Sequence, residues 1–327
     1  MSKQVVWIGV DVGKDDVWVS VAGKKGRSFT TTPKGVRNMC DWSQSSAGDG
    51  EVRLCMESTG VYGYRVAVMC RQLDVEVSVI NPAQIKAFSQ AQLRRTKTDQ
   101  VDAEVIRCFA ESQHPAPWQP PRKAVSQLYW LISELDALGE IRRQLENRKH
   151  SRQLVPDLPK EALLASRKVL QSVSRQIDSL QKRIEGLVAN DAEMNQRVQL
   201  LCTIPGIQQA TATRLIAYGK DHWDTHTARQ LTAHAGLAPR HRQSGSSIRG
   251  KSRLAKQGDK RLRRVLYMPT VCAIVHNPYV RAVYQRLVAN GKPKMLALLA
   301  GMRKLIVLIR AILRTKKPFT YPIPALT

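Results

Sequence analysis

"VVWIGVDVGKDDVWVSV", residues Val5–Val21, decides how the chain begins to fold. Its first half is an almost unbroken apolar run that reaches Asp11 just ahead of Gly13, the pattern of a strand buried on both faces. Its second half alternates with period two, as a half-buried strand does. "KGRSFTTT" (Lys25–Thr32) supplies a short third strand, "PKGVRNMCDWSQ" (Pro33–Gln44) a helix, and "EVRLCMES" (Glu51–Ser58) a fourth strand that delivers Glu57 to its end. A helix from about Gly63 to Leu73, a strand in "VEVSVINP" (Val75–Pro82) and a helix through "RTKTDQVDAEVIR" (Arg95–Arg107) complete the series. Three strands joined by tight turns and then α/β alternation predict a mixed sheet with helices packed against it. Ligands meet such sheets at strand ends.

From Pro120 the pattern changes. "SQLYWLISELDALGEIRRQLENRKHSRQL" (Ser126–Leu154) and "KEALLASRKVLQSVSRQIDSLQKRIEGLV" (Lys160–Val188) are long, charged and Leu-spaced, and "VPDLP" between them breaks any helix. Leu163, Leu170, Ile177, Leu180, Ile184 and Leu187 recur at the intervals of an antiparallel hairpin or an intermolecular coiled coil. In the last third, "LLCTIPGIQQATATRLIAYG" (Leu200–Gly219) reads as helix, Pro-Gly turn, helix, and "APRHRQSGSSIRGKSRLAKQGDKRLRRVLYM" (Ala238–Met268) as a basic loop entering a helix.

Charge narrows the function. The 327 residues hold 52 Lys and Arg against 26 Asp and Glu, a formal charge of +26 and a pI near 10.3. Residues 200–327 alone carry 23 bases and 3 acids. A polyanionic partner is expected, nucleic acid before an acidic membrane, because basic residues interrupt every long apolar run. The N-terminal stretch enters a strand at once and does not read as a secretory signal. Six scattered cysteines without a CxxC pair point to a reducing compartment and mostly to core packing.

The acids concentrate where the bases do not. Asp99 and Asp102, three apart, lie about 60° from each other around a helix axis, so one turn presents both. Thr98 or Asp99 as N-cap with Asp102 in the first turn is also ordinary helix-start chemistry. Asp11 and Glu57 at two strand ends change the weighing: alone, each fits a turn or a solvated end, but four carboxylates could chelate hard cations through oxygen. Two Mg²⁺ ions so held would clamp the attacking and leaving oxygens of a phosphodiester.

Here a resemblance becomes specific. "WIGVDVGKDDVWVSV", "CMESTGVYGY", "VSVINPAQIKAFSQ" and "KTDQVDAEVI" resemble the RuvC-like domain of the DEDD transposases of circular-intermediate insertion sequences, the family described as bridge-RNA-guided recombinases. The resemblance implies a ribonuclease-H-like fold, with Asp11, Glu57, Asp99 and Asp102 as catalytic Mg²⁺ ligands. "LTAHAGLAPRHRQSGSSIRGKSRLAKQGDKRLRRVLYMPT" is similar to that family's C-terminal transposase domain, whose nucleophilic serine matches Ser244. Read without the resemblance, Ser244, Ser246 and Ser247 are loop hydroxyls: His241 is near in sequence but lacks an orienting acid.

The resemblance spans nearly the whole chain and implies three parts: a RuvC-like domain with a trailing long helix at 1–153, a coiled-coil helix at 154–194, and a helical transposase domain at 195–327. It implies a 5′-phosphoserine intermediate, donor and target double-stranded DNA, a structured noncoding guide RNA, and a homodimer assembling to a tetramer in which acids and serine come from different protomers. No membrane is involved, and a bacterial or archaeal cytoplasm, at the nucleoid, is the expected location. Independently of it, Arg240, Arg242, Arg249, Lys251, Arg253, Lys256, Lys260, Arg261, Arg263 and Arg264, interleaved with Ser and Gly, read as a nucleic-acid contact. The turn Ile204-Pro205-Gly206 resembles a helix-hairpin-helix, with Gln208 where a second Gly is usual; phosphate contact and plain packing both remain open. His222 and His226, four apart, read as surface or core histidines rather than zinc ligands. Two rivals stand beside recombination: a structure-specific nuclease using water as nucleophile, and a noncatalytic nucleic-acid-binding protein.

Overall fold

The computed structural model describes residues 4–93, 98–156, 158–244, 248–255 and 257–321, with backbone alone over the described part of 241–253. The chain divides into two compact units, 1–120 and 121–327.

The first unit runs β1 (Val5–Val12), β2 (Asp16–Ser20), β3 (Arg27–Thr30), α1 (Pro33–Ala47), β4 (Glu51–Glu57), α2 (Val61–Gln72), β5 (Glu76–Ile80), α3 (Pro82–Ala91) and α4 (Asp99–Gln113). The sheet order is β3-β2-β1-β4-β5. β1, β2 and β3 pair antiparallel, whereas β4 lies parallel to both β1 and β5. This is the mixed sheet expected from the strand pattern of the opening residues. Side chains alternate across it: Ile8, Val10, Val12, Leu54 and Met56 pack with Val36, Met39, Val66 and Ala67 of α1 and α2. Trp7, Cys55 and Ile80 pack on the other face with Ile85, Val105, Ile106 and Phe109 of α3 and α4.

Two boundaries differ from expectation. The helix through Arg95–Arg107 begins only at Asp99, where Thr98 caps it by accepting a hydrogen bond from the Val101 amide at 3.3 Å. A separate helix, α3, precedes it; Asn81 accepts from the Ala83 amide at 2.9 Å and Pro82 takes the first helical position, a start signal hidden behind the strand it follows.

The second unit holds α5 (Lys123–Arg152), α6 (Lys160–Asn190), α7 (Ala192–Cys202), α8 (Gln209–Gly219), α9 (His222–Thr225), α10 (Ala228–His234), β6 (Pro239–Ser244), β7 (Ile248–Leu254), α11 (Lys260–His276), α12 (Pro278–Ala289) and α13 (Lys294–Thr315). α5 and α6 form an intramolecular antiparallel hairpin. Its base is closed by the Arg122 guanidinium, 2.8 Å from Asp191 and 2.6 Å from Glu193. α5, expected to trail the first domain, belongs to the second unit, because Val125, Leu128, Ile132 and Leu135 join the core built by α6 to α8 and α13. The basic segment after Ala238 is a correction: it is an antiparallel ribbon of β6 and β7 with an irregular register between Arg240 and Arg242, not a loop. Its cationic side chains carry none of the apolar alternation that reveals a strand, which is why the sequence does not show the pairing.

Cys40, Cys55 and Cys70 are buried and Cys108 and Cys202 half-buried, but Cys272 is exposed. Among the described residues, no helix is long and apolar enough to cross a membrane.

Candidate active site

One absent side chain sets the site. At Gly9 a Cβ would run into the carbonyl of Ala103 and lie 2.5 Å from the amide of Arg107, so only glycine lets α4 lie flush across β1. Two residues on, Asp11 projects from the same face of the strand. β1 and β4 pair in parallel up to Val10 with Met56, which places Asp11 and Glu57 side by side, one residue further, at the carboxyl rim of adjacent strands. Cys55 faces α4, so Glu57 does too. α4 meets that rim with its first turn, which carries Asp99 and Asp102.

Electrostatics reflects the same convergence. Burial pushes the Asp11 carboxyl up to about 6, reinforced by repulsion from Asp102, then Asp99, then Glu57; the Val12 amide opposes the shift. Asp11 therefore feels each of the other three acids named from the sequence. Thr98 is the N-cap, so Asp99 and Asp102 lie in the first turn of α4, where the helix dipole also favours acids.

The donor set fits a hard divalent cation in kind: four carboxylates and oxygen donors only, on three elements, with one acid held partly protonated by burial and by its neighbours. Among the described residues, no three His, Cys, Asp or Glu side chains are gathered around a common metal position. Mutual repulsion among uncompensated carboxylates works against such closure, and positive charge would remove it.

Ser244 ends β6, opposite Ile248, in the second unit. Ser246 and Ser247 lie outside the described residues, as does Lys256. Arg242, Arg249, Lys251 and Arg253 sit on the ribbon's two strands, and Arg240 is exposed at its start. The root of the ribbon is fixed. Gly258, at φ +137°, fits where a Cβ would meet the Gly236 amide at 2.6 Å, the Asp259 amide donates to the His234 carbonyl at 2.6 Å, and the Asp259 carboxylate caps α11 through the Arg261 amide at 2.7 Å.

Of the cations on the first turn of α11, Lys260 and Arg264 are exposed. Arg261 donates to Tyr129 and Ser133 on α5 and stacks over the Tyr129 and Tyr218 rings; Arg263 donates to the carbonyls of Ala235 and Gly236. Both hold the fold together.

Gly206 has φ +101°, and a Cβ there would stand 2.7 Å from the Pro269 carbonyl and 3.0 Å from the Ala273 amide. The turn is a close seat for α11, which favours packing over phosphate contact. His222 and His226 join a third histidine that spacing could not reveal: the His222 ring lies 4.4 Å from that of His226 and 4.6 Å from that of His234. Burial, then His234, His226 and Lys220, push His222 down to about 4, so the cluster's centre is neutral at physiological pH.

Comparison with known proteins identifies the family. Residues 8–154 match the family model for the DEDD transposase of IS110 type, and residues 198–285 that of the "Transposase IS116/IS110/IS902 family". The pilin gene-inverting protein of Moraxella bovis is 30% identical over 330 residues, covering 98% of both chains. The chain belongs to the IS110 family of transposases. A further relative of this IS110-family chain, the transposase for insertion sequence element IS1328 of Yersinia enterocolitica, is 27% identical over 83% of this chain and 84% of its own. Among solved structures, the T. thermophilus RuvC in complex with Holliday junction substrate aligns over 35% of this chain and all of its own, at 15% identity and a TM-score of 0.27. As an IS110-family transposase, the protein is a DNA-recombination enzyme.

Proposed function

We propose that this transposase cuts and rejoins donor and target DNA, with Asp11, Glu57, Asp99 and Asp102 holding Mg²⁺ and Ser244 forming the covalent link. The observation that carries the reading is the convergence of four carboxylates on one rim, where Asp11 is lifted to about 6. The bound metal would supply Lewis-acid stabilisation of the charge that develops on the scissile phosphate. The four acids bind and orient that positive charge, and the half-buried setting of Asp11 limits water. The Ser244 hydroxyl oxygen bonds to phosphorus as the bond to the 3′ oxygen breaks; the serine proton is lost, and the departing 3′ oxygen takes one up. The ribbon's arginines and lysines neutralise backbone phosphate.

Acids and serine come from different protomers of a dimer that assembles to a tetramer, and a structured noncoding RNA selects both DNA partners by pairing. RNA-guided nucleases divide recognition in the same way: the protein reads shape, and base pairing reads sequence. The work is done in the cytoplasm at the nucleoid.

Trapping tests the chemistry. Wild type is expected to yield a protein–DNA adduct that Ser244→Ala lacks; undiminished cleavage by Ser244→Ala would overturn the serine's role. That outcome would favour the second reading, water as nucleophile, which draws support from all four acids lying within one unit. A noncatalytic binder predicts instead that Asp11→Asn and Asp102→Asn change no activity. Sequencing RNA that copurifies with the protein tests guidance: one structured species supports it, and random cellular RNA counts against it.

A further inference from the structure

We infer that Trp18 is a stacking surface for an unpaired DNA base next to the phosphodiester that the carboxylates receive; the inference rests on the DNA-cleavage reading of that site. β1 and β2 pair antiparallel with Asp11 directly opposite Trp18 and Gly9 opposite Ser20. Residues directly opposite in such a pair point to the same face, with Cβ atoms about 5 Å apart. Two contacts fix which face this is. Val17 and Val19 pack with α1 and α2, so Trp18 between them points the other way. The Arg107 guanidinium of α4 donates to the Ser20 hydroxyl at 3.3 Å, which puts Ser20, and with it Trp18, on the face that α4 covers. The indole therefore stands beside the Asp11 side chain on one side of the sheet.

The other tryptophans of this unit serve its packing. Trp7 lies in the cluster with α3 and α4, and Trp42 and Trp118 pack against the cluster with α1 and α2. Among the described residues neither cluster takes in Trp18, which stays half-buried. The row that holds Asp11 and Trp18 continues to Ser28, opposite Trp18 on the edge strand β3, and Ser28 is exposed. The turn between β2 and β3 closes on the helical turn that carries the acids: a Cβ at Gly26 would stand 3.5 Å from Cγ of Gln100. Lys24 and Lys25 in that turn are exposed. Outward from the acids, this face presents carboxylate, ring and open edge, with two cations at its margin.

The chemistry of the ligand follows. A phosphodiester brought to the carboxylates across that edge carries a base on either side, and Trp18 is the aromatic side chain it meets next to Asp11. A paired base buries its faces in the duplex, but an unpaired one offers a π-face that an indole binds with little regard to sequence. The lysines attract the flanking phosphates. A ring set one strand away from a candidate metal ligand selects a strand already opened at the point of cutting.

The test uses the full-length protein and a DNA duplex carrying one unpaired 2-aminopurine, with Ca²⁺, which takes the same oxygen donors, in place of Mg²⁺. Wild type and Trp18→Phe are expected to quench the probe's fluorescence. Trp18→Leu keeps apolar bulk beneath α4 but has no π-face; it should lose the quench and bind that DNA roughly tenfold more weakly, with unchanged affinity for fully paired duplex. Irradiating wild type with 5-iododeoxyuridine at the same unpaired position should join the DNA to residues 15–24, read by mass spectrometry, a result independent of how the variants fold. Undiminished quenching by Trp18→Leu overturns the inference, as does an equal loss of affinity for paired duplex, a cross-link that avoids residues 15–24, or a response confined to the RNA version of the probe. Asp102→Asn, assayed for cleavage in Mg²⁺, tests the site separately. Cleavage that survives it defeats the site assignment whatever Trp18 does, whereas cleavage lost there with undiminished quenching by Trp18→Leu leaves the site standing and removes the ring's role.

Discussion

The two sheets of the molecule place their candidate site residues by different means. The five-stranded sheet of the first unit is covered on both faces, and its carboxylates are fixed by strand register and by α4 lying against Gly9. The two-stranded ribbon of the second unit carries Ser244 near its turn and is secured at its root by Gly258, Asp259 and Arg263. A two-stranded ribbon alone is at best marginally stable. The acids are held by a core, and the serine by an anchored ribbon, so damage to each should read out differently.

The largest effect is expected at the acids. Asp102→Asn should lower DNA cleavage by about 100-fold or more, because a carboxylate that would hold the divalent cation is lost and with it the cation's stabilisation of the charge developing on phosphate, while circular dichroism and binding to duplex stay close to wild type. Gly9→Val comes next. Its side chain collides with the backbone of Ala103 and Arg107, so denaturant titration should show about 3 kcal/mol of lost stability and activity should fall with the displaced α4.

Asp11→Asn should separate stability from function. The folded-state value near 6 lies above the ordinary value of 3.8, so the folded protein holds the extra proton between them and stability falls as pH rises through that window. Above pH 6 the ionised Asp11 costs about 1 kcal/mol after allowing for solvent screening. The Asn variant should therefore melt higher than wild type at pH 7.5 without metal, flatten the pH dependence of stability between pH 4 and 6, and lose cleavage. The smallest effect is expected at the ribbon's root: Asp259→Ala removes the cap of α11 at a cost of about 1 kcal/mol, and should reduce Ser244-dependent adduct more than metal-dependent binding at the acids. Equal losses in both would erase the contrast between the two sheets.

Much of the first unit is legible in the sequence because its physics is periodic. Apolar runs ending at Asp11 and Glu57 expose strand ends directly, and the Asp99/Asp102 spacing reports one helical turn. Gly9 gives no sign of its role, because a glycine inside an apolar strand does not say which backbone crosses it. In the second unit the ribbon escapes notice for want of apolar alternation, and His234 joins His222 and His226 through tertiary packing that spacing does not encode. Arg261 reads as a phosphate contact by composition, although its partners are Tyr129 and Ser133, more than a hundred residues earlier.

The α5–α6 hairpin has a consequence for how this enzyme unfolds. Its contribution to the main core ends at Leu138 on one helix and resumes at Val173 on the other, and between these Ile141, Leu154, Leu164 and Val169 are exposed. Among the described residues the apolar support of that outer half comes from the facing helix, so it can melt without disturbing the body. Heating should then show helicity declining before the main transition, with a calorimetric enthalpy that departs from the van 't Hoff value and no single melting temperature able to represent the chain.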